Sequence, residues 1–583
     1  SIAVSFPASM PASVQVNATV NLGATVTNDT SANPQVKWTV SCGGSECGSF
    51  NPTTTANNLD TAYTAPSAIP PGNTVTVTAT SVTDPTKSAS AIITIIPQAP
   101  TLANGTYVYQ VSGSSGSNAN FVTGVLVARN GTITGGEQDS IAYAIDDNGN
   151  PFPYAYLSGE IGGGSYAATP DGNLQISLWV EGGQETLNGV LASGGEGFVA
   201  QLYGSMGSGT LDLQTSTAAP AGGYAISMYG GDQYAEQAWI GGILNVDSPG
   251  GISGIGSVLD CIAVGYYGGI SCGTLAASTV SAPDKFGRVQ FVLNPGESSA
   301  PPVQDLIGYI VDSTHIRLVS AALNNSGNYQ GVMGGLALGQ GTSTGTFSSS
   351  SIAGTSYVFG ASTQMEYGMY QLAGVVTANA DGTLTGALNW NDLTGNAASP
   401  IPVNGSWTID STGRATLSNL TDGSASNLSF TDSLHLYLTG DGNALLLSSE
   451  YINPFAGQAF QQQTSAFTAA SFSGTYGLNA GLANTGTTSV LSTAFGPVTS
   501  VADNGTDMLS GFADFGNGFA DLAITGSLTA SSNGVFTGTL TGLDTASRTT
   551  ADNFTFYLVD NTRAVGIETD NTQLTLGYFE LKQ

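Results

Sequence analysis

Gly354-Thr355-Ser356-Tyr357 begins a strand-like stretch that has three counterparts elsewhere in this chain of 583 residues. The counterparts are Gly105-Thr106-Tyr107, Gly222-Gly223-Tyr224 and Gly474-Thr475-Tyr476. The motif returns about every 120 residues, a period far longer than that of a solenoid and close to the size of one β domain. We therefore predict a row of four similar modules.

A hairpin also recurs inside the modules. Its turns are Asn130-Gly131, Asp381-Gly382 and Asn504-Gly505, each between strand-like segments. Asn-Gly and Asp-Gly favour the tight turns that join two antiparallel strands. Two further hairpins per module, with an opening and a closing strand, give about eight antiparallel strands. This count fits an up-and-down barrel or a meandering sandwich, and the sequence leaves both open.

The composition is typical of strands and tight turns. Gly contributes 79 residues, hydrophobic residues make up 41% and charged residues only 9%. Helical surfaces usually carry more Glu, Lys and Arg, whereas Thr, Val and Tyr favour strands. The composition thus predicts an all-β fold.

The first 97 residues have a strand pattern of their own. The segments 35–40, 74–80 and 89–95 alternate with period two, as half-buried strands do. This part resembles the bacterial Ig-like domains of surface and secreted proteins, through Val36-Lys37-Trp38-Thr39-Val40, Gly48-Ser49-Phe50-Asn51-Pro52, Tyr63-Thr64-Ala65-Pro66 and Val75-Thr76-Val77-Thr78-Ala79. The resemblance implies a β-sandwich that serves as a spacer or adhesion module and brings no catalytic residues.

These patterns predict five domains. An Ig-like sandwich spans residues 1–97, and Pro97-Gln98-Ala99-Pro100 follows as a stiff linker. Four related antiparallel β-barrel or β-sandwich modules then occupy residues 104–216, 220–341, 352–465 and 472–583.

The charge balance restricts the partners. Ten Lys and Arg stand against 40 Asp and Glu, which gives a net charge of −30. Nucleic acid and anionic lipid need clustered cations, so neither is an expected partner. The acidic surface fits a soluble secreted protein. The more specific alternative is a protein adapted to low pH. The longest apolar stretch, residues 91–96, is too short to span a bilayer.

Four cysteines form two close pairs, Cys42 with Cys47 and Cys261 with Cys272. Each pair falls inside one predicted domain, which indicates local disulfides in an oxidising compartment. No histidine lies near either pair, so we expect no zinc site. The first ten residues lack the features of a signal peptide. We expect an extracellular or cell-surface protein whose signal has been removed.

Candidates for catalysis are few. His315 and His435 are the two histidines, and both are expected on hairpin surfaces, where they make poor bases for a triad. Residues 269–273 match the G-x-S-x-G pattern, but no helix is predicted after them, as a nucleophile elbow requires. Two acids across a cleft could still hydrolyse glycosides. The isolated glutamates, which we expect to be surface charges, are Glu160, Glu181, Glu185, Glu196 and Glu450.

Two stretches hint at ligands. Residues 146–150 faintly resemble a calcium loop, yet they lack the Gly and Glu that an EF-hand needs and fit an ordinary turn. Tyr266 and Tyr267 could stack on sugar rings, although Tyr is also a common strand residue. We therefore predict no cofactor and no metal, with surface glycans as the conceivable small ligands.

The sequence therefore favours a non-enzymatic structural or adhesive protein of a bacterial surface. It is expected to form a homo-oligomer or a polymer, such as a pilus-like filament. Ile2, Val4 and Phe6 alternate with small polar residues and could add to a neighbour's sheet, or could form the first strand of their own domain. The competing hypothesis is a secreted carbohydrate-binding protein or glycoside hydrolase.

Overall fold

The computed structural model describes residues 1–582 except for the segments 8–9, 45, 68, 97–101, 116–117, 169–173, 182, 192–195, 202–205, 249, 264–271, 273–274, 295–302, 366–367, 393–394, 422–432, 449–453, 464–466, 484–491, 504–505, 516–521, 532 and 545–548. The chain divides into two compact units. The first contains Ser1–Thr101 and Ala168–Leu174, and the second contains Leu102–Ala167 and Gln175–Gln583.

The first unit contains ten strands in three small sheets: β1 (Ala3–Ser5), β2 (Ser13–Gln15), β3 (Thr19–Leu22), β4 (Thr25–Thr27), β5 (Gln35–Cys42), β6 (Ser49–Asn51), β7 (Thr54–Ala56), β8 (Thr61–Thr64), β9 (Thr74–Ser81) and β10 (Ser88–Ile96). The largest sheet has the order β2-β10-β9-β5-β7. The others are β3-β8-β6 and the two-stranded pair β1-β4. The Ig-like resemblance stays a prediction.

The core of the first unit follows from the alternation in its strands. Every second residue of β9 is buried, as period-two patterning requires. Trp38 of β5 lies at the centre, with its ring centroid 5.6 Å from that of Phe50. Phe50 in turn packs against Tyr63 at 5.1 Å. The predicted strand with a buried Trp is therefore present.

Module 1 begins the second unit with nine strands: β11 (Gly105–Ser115), β12 (Asn118–Arg129), β13 (Thr132–Ile145), β14 (Pro151–Ile161), β15 (Gly163–Ala168), β16 (Leu174–Val180), β17 (Gly183–Leu191), β18 (Glu196–Gln201) and β19 (Met206–Leu213). The sheet curls around on itself, because β12 pairs with both β11 and β13. β14 is an additional strand that pairs with the distal part of β13.

Module 2 is a closed barrel of eight strands: β20 (Gly222–Gly231), β21 (Gln237–Ser248), β22 (Gly251–Ala263), β23 (Ser278–Val280), β24 (Arg288–Val292), β25 (Asp305–Ile310), β26 (His315–Ser320) and β27 (Val332–Gly339). Neighbouring strands are antiparallel, and β27 pairs back onto β20 to close the barrel.

Module 3 repeats this plan with β28 (Thr355–Met365), β29 (Gly368–Ala378), β30 (Thr383–Asn391), β31 (Ile401–Ile409), β32 (Arg414–Thr421), β33 (Leu434–Leu438), β34 (Ala444–Ser448) and β35 (Ala456–Gln461). Module 4 does so with β36 (Gly474–Ala483), β37 (Ser492–Asp503), β38 (Thr506–Phe515), β39 (Leu522–Ala530), β40 (Val535–Thr541), β41 (Ala551–Leu558), β42 (Arg563–Glu568) and β43 (Leu574–Leu581). Short 3₁₀ turns lie at Pro71–Asn73, Gly341–Ser343, Ser349–Ser351 and Ala469–Ser471.

The all-β prediction is confirmed, and strand pairing decides between the two architectures left open by the sequence. Modules 2, 3 and 4 are closed up-and-down barrels, so their sheets have no free edges. The predicted turn at Asn130 and Gly131 has positive φ at both residues, +48° and +84°, as a type I′ hairpin requires. The turn at 504–505 lies outside the described residues.

The interior of the module 4 barrel is filled with side chains. In module 4, Phe472 precedes the first strand and packs within 4.5 Å of Tyr476, 5.7 Å of Phe556 and 6.1 Å of Phe579, measured between ring centroids. Barrels of eight strands are just wide enough for side chains to fill them. Module 4 is thus built as a packed core.

The four modules of the second unit pack in a cyclic order. The first strands of each module lie against the last strands of the next: β11–β13 against β25–β27, β20–β21 against β33–β34, and β28–β30 against β41–β43. The same type of packing closes the circle, because β36 and β37 of module 4 lie against β17, β18 and β19 of module 1. A head-to-tail contact that closes in this way forms a ring.

Candidate functional site: the seams between modules

The seams are the contact surfaces between consecutive modules, and the described residues form an apolar core at three of them. The seam of modules 1 and 2 includes Phe121, Ile141 and Val332. The seam of modules 2 and 3 includes Trp239 and Leu447, and that of modules 3 and 4 is equally apolar. These side chains point out of the barrels and are buried by the neighbouring module. Strand β25 at the first seam is accordingly buried on both faces.

A buried acid on the third strand of module 1 holds two side chains of module 2. Asp139 accepts hydrogen bonds from Nε and Nη2 of Arg288, at 2.7 and 3.0 Å, and from the hydroxyl of Tyr309 at 2.6 Å. Asp139 is 5% exposed and Tyr309 is fully buried. Bidentate pairing with Arg is the geometry that best compensates a buried carboxylate.

The same arrangement recurs at the next seam. Asp260 of module 2 accepts from Nε and Nη2 of Arg414, both at 2.7 Å, and from the hydroxyl of Tyr437 at 2.6 Å. In both seams the Arg and the Tyr are paired residues on adjacent strands. The identical register shows that the two seams are built from the same repeated positions.

His435 belongs to this second seam, and its predicted place on a hairpin surface is wrong. It is 7% exposed, and its Nε2 lies 3.0 Å from Nη2 of Arg414. Burial lowers the pKa of His435 to about 4. The imidazole is neutral at physiological pH and accepts a hydrogen bond from the guanidinium.

The third seam replaces the ion pair by neutral groups. Asn389 stands at the Asp position of module 3 and accepts a hydrogen bond of 2.6 Å from the hydroxyl of Tyr557. Val535, paired with Tyr557, stands where the Arg is in the other seams. Both members of the ion pair, the Asp and the Arg, are replaced by neutral residues in this seam, so no unpaired charge is buried at this position. The side chain at the corresponding position of β38 lies outside the described part of the chain.

A glutamine at the end of three modules fastens each one to the next. Nε2 of Gln340 donates to the carbonyl oxygens of Thr412 and Leu438, at 2.8 and 2.9 Å. Gln214 and Gln462 make the equivalent pairs of bonds, to Phe286 and Ile310 and to Asn533 and Leu558. Each amide thereby satisfies two carbonyls at hairpin ends of the following module.

Replacing Gln340 tests this connection. We expect Gln340→Met, which keeps the length but removes the donor, to destabilise the seam of modules 2 and 3 by about 2 kcal/mol, because a buried and a partly buried carbonyl lose their partner. Hydrogen–deuterium exchange of β32 and β33 measures the loss. Gln463→Met is the matched control, since Gln463 is exposed. Equal exchange in the wild type and Gln340→Met would contradict the assigned role.

Two glycines allow the modules to approach closely. A Cβ on Gly334 would lie 2.1 Å from Cδ1 of Phe121, and one on Gly241 would lie 2.5 Å from Cε2 of Tyr437. Each aromatic ring belongs to the neighbouring module and packs directly on the glycine backbone. A larger residue at either position would push the seam apart.

An acidic cluster lies near the third seam. Carboxylate oxygens of Asp552, Glu568 and Asp570 lie within 4.8 Å of one another. Burial raises the pKa of Glu568 to about 9 and that of Asp552 to about 7. Burial also opposes the ionised form of Asp570, but hydrogen bonds from Thr572 outweigh it and hold the pKa of Asp570 below its ordinary value.

This cluster stabilises a turn that module 3 uses. Nδ2 of Asn391 donates to the carbonyls of Glu568, Asp570 and Gln573, at 3.2, 2.6 and 3.2 Å. Asp552 and Glu568 are each 1% exposed, so a substrate cannot reach them. Glycoside hydrolysis needs two carboxyl groups that face a sugar. We therefore assign the cluster a structural role in holding the β42–β43 turn.

The predicted strand-exchange segment packs on its own unit. β1 pairs with β4, and Ile2, Val4 and Phe6 lie partly buried against the core of that unit. The ring centroid of Phe6 is 6.2 Å from that of Trp38. In the structure this segment forms the first strand of its own domain, as one of the two predictions stated. Strand exchange between chains stays a prediction.

Both predicted cysteine pairs are joined. Cys42 bonds Cys47 at the end of β5, and Cys261 bonds Cys272, with Cα atoms 5.5 and 5.4 Å apart. Cys261 and Cys272 are both buried in the barrel of module 2. Among the described residues no cysteine is free.

The other candidates do not come together. His315 is half-exposed and its Nδ1 lies 2.9 Å from Asp312. Glu160 lies on the surface near Lys285, and Glu181 is also exposed. Glu185 is partly buried and accepts a hydrogen bond from Gln138. Residues 269–271, the pair Tyr266 and Tyr267, Glu450 and the side chain of Glu196 lie outside the described residues.

The candidate calcium loop is a hydrogen-bonded turn. Oδ1 of Asp146 accepts from the backbone N–H groups of Asn148 and Asn150, at 2.9 and 2.8 Å. These bonds hold the pKa of Asp146 below its ordinary value. A narrow cavity inside module 3 is lined only by apolar side chains such as Leu388 and Leu446.

The seam contacts were not predicted from the sequence, although a signal exists. Gln214, Gln340 and Gln462 recur at nearly the period of the modules, and so do Tyr309, Tyr437 and Tyr557. The three tyrosines are readable from the sequence as the first residue of a recurring hairpin, and aligning the modules residue by residue would have revealed the glutamines as well. Only the structure shows that their partners lie in the neighbouring module.

Comparisons with known proteins give little guidance. No family model and no curated protein matches the chain. A DUF3598-family protein of unknown function from Nostoc punctiforme is 10% identical, with 40% of this chain and 96% of that chain covered and a TM-score of 0.16. Transferrin Binding Protein B from Haemophilus parasuis (10% identity, 83% and 96% covered, TM-score 0.17) and from Neisseria meningitidis (10%, 70% and 84%, 0.18) are also similar. Scores this low carry no argument about function.

Within the described residues, no helix has the length and apolarity to cross a membrane.

Proposed function

We propose that this chain is an extracellular structural or adhesive protein of a cell surface, in which the ring of modules is a rigid body that presents its loops. The observation that carries the proposal is the closed cycle of seams, fixed by Asp139 and Asp260 with their Arg and Tyr partners. Packed interiors and buried polar connections suit a load-bearing or display scaffold. The two disulfides suit an oxidising compartment.

The cycle also restricts how copies could assemble. The seam surfaces are buried within the chain, so a polymer cannot use them without opening the ring. The pair β1-β4 is a sheet of only two strands, and its edges are open among the described strands. A three-residue strand with a short ladder is the easiest one to replace. We therefore propose that any filament forms by strand addition at β1.

Electron microscopy and sedimentation of the purified chain test this proposal. We expect particles that join end to end, and single particles when residues 1–7 are deleted. The matched control replaces residues 1–7 by a scrambled sequence of the same composition, which should also give single bodies. A glycan-hydrolysing activity lost on changing one glutamate would overturn the structural role. Unchanged polymers after the deletion would overturn strand addition alone.

A further inference from the structure

An exposed aromatic patch lies where module 1 meets module 2. We define it by Phe152 and Tyr154 of β14 and by Leu323 and Tyr329 in the connection between β26 and β27. Tyr154 is 47% exposed, Tyr329 51% and Leu323 46%. β14 is the additional strand of module 1, which the described eight-stranded barrels lack. The element that departs from the repeat therefore carries the exposed rings.

The rings form one group. The centroid of Phe152 is 5.7 Å from that of Tyr329 and 6.4 Å from that of Tyr154, with interplanar angles of 57° and 84°. Leu323 and Tyr329 face each other across a β-bridge. The hairpin β13–β14 is attached to module 2, because the hydroxyl of Tyr143 on β13 donates a hydrogen bond to the carbonyl of Asp232. The patch is thus preformed on rigid elements.

Its size favours a small ligand over a protein. A tyrosine side chain offers roughly 150–250 Å² of surface, of which Tyr154 and Tyr329 each expose about half, so the two rings together present on the order of 200 Å². A stable protein interface needs about 800 Å² from each partner. A few sugar rings would cover the patch completely.

Its chemistry favours an uncharged ligand with both apolar and hydroxylated faces. The net charge of −30 repels anions. Aromatic faces bind the C–H faces of a pyranose ring, and tyrosine hydroxyls supply polar edges. The turns beside the rings carry exposed carboxamides that can both donate and accept hydrogen bonds, namely Asn148, Asn150, Asn325 and Asn328.

From these observations we propose that the patch of Phe152, Tyr154, Leu323 and Tyr329 binds a neutral polysaccharide. The rings stack on successive sugar units, and the neighbouring Asn side chains bond their hydroxyls. The site goes beyond the structural role, because it gives the rigid ring a ligand to hold at the surface. No bond is made or broken in this process.

Binding of uncharged oligosaccharides to the full chain tests the proposal. The probes are hexasaccharides of glucose, mannose and N-acetylglucosamine, measured by calorimetry and by co-sedimentation with the insoluble polymers. We expect at least one probe to bind, and Tyr154→Ala and Tyr329→Ala each to weaken it at least tenfold. Trp179→Ala is the matched control, because Trp179 is 62% exposed on module 1 outside the patch. It should bind as the wild type does.

The melting temperatures of Tyr154→Ala and Tyr329→Ala are compared with that of the wild type. Equal values show that a loss of binding is not caused by unfolding. Tyr154→Phe should keep most of the affinity, since it retains the ring. The proposal is overturned if no probe binds, if the double variant Tyr154→Ala, Tyr329→Ala binds as the wild type does, or if only cationic ligands such as tetramethylammonium bind. The last outcome would make the patch a cation site instead.

Discussion

Asp139→Asn is expected to destabilise the seam of modules 1 and 2 by about 2 kcal/mol, because Arg288 loses the charge that compensates its burial. In the wild type, Arg288 is held by two hydrogen bonds to Asp139, and its side chain is 32% exposed. The partial exposure keeps the expected loss below the 3–5 kcal/mol typical of a fully buried pair. Hydrogen–deuterium exchange of β13 and β25, with thermal unfolding, measures it.

The double variant Asp139→Asn, Arg288→Val should recover most of this stability. It converts the first seam into the Asn, Val and Tyr arrangement that the third seam already has at Asn389, Val535 and Tyr557. Replacing a buried ion pair by well-packed neutral groups is often neutral or stabilising. The two substitutions should therefore couple by about 2 kcal/mol.

An exposed acid provides the control for this cycle. Asp147 lies in the turn before β14 and is exposed, so Asp147→Asn should leave exchange at the seam unchanged. If the double variant were as unstable as the sum of its single variants, the three seams would not be equivalent. The conclusion that the same interface is repeated around the ring would then lose its main evidence, the shared Asp, Arg and Tyr positions.

The sequence predicted the parts of the fold that depend on local patterns. Alternating strands, Asn130-Gly131 and the recurring Gly-Thr-Tyr openings are readable because turn chemistry and period-two burial act over a few residues. Barrel closure was not readable, since it depends on whether β27 returns to β20, a pairing between distant segments. The placement of His435 failed for the same reason: the module that buries it lies more than a hundred residues away in sequence.

The seams explain a further limit of sequence analysis. Strands that pack on a neighbouring module are apolar on both faces, as in β25, where all six residues are buried. Such a strand gives no alternation, and its pattern cannot tell an isolated barrel from one inside an assembly. The tyrosines of the aromatic patch are present in the sequence, but the sequence does not show that they are exposed and close together. Their exposure depends on the extra strand β14, which the repeat pattern did not predict.

Asp507→Asn should stabilise module 4 by about 2 kcal/mol at pH 8, because the acid is buried without compensation. Asp507 on β38 is fully buried, and neither carboxylate oxygen has a hydrogen-bond partner. Burial raises the pKa of Asp507 to about 6. The folded state therefore binds a proton more tightly than the unfolded state, where the pKa is about 4. The cost of burial is absent below pH 4 and develops as the pH rises through 6.

The stability difference between Asp507→Asn and the wild type should consequently vanish below pH 4 and reach its full size above pH 7. Urea unfolding of both proteins, monitored by exchange in β38 and β39, measures this difference at each pH. Asp247→Asn, which changes an exposed acid, should show no pH-dependent difference. A difference between Asp507→Asn and wild type that stayed constant from pH 4 to pH 8 would mean that the carboxyl group has the same pKa in the folded and unfolded states. Burial would then impose no penalty on the ionised form of Asp507, and acidification would bring module 4 no added stability through this residue.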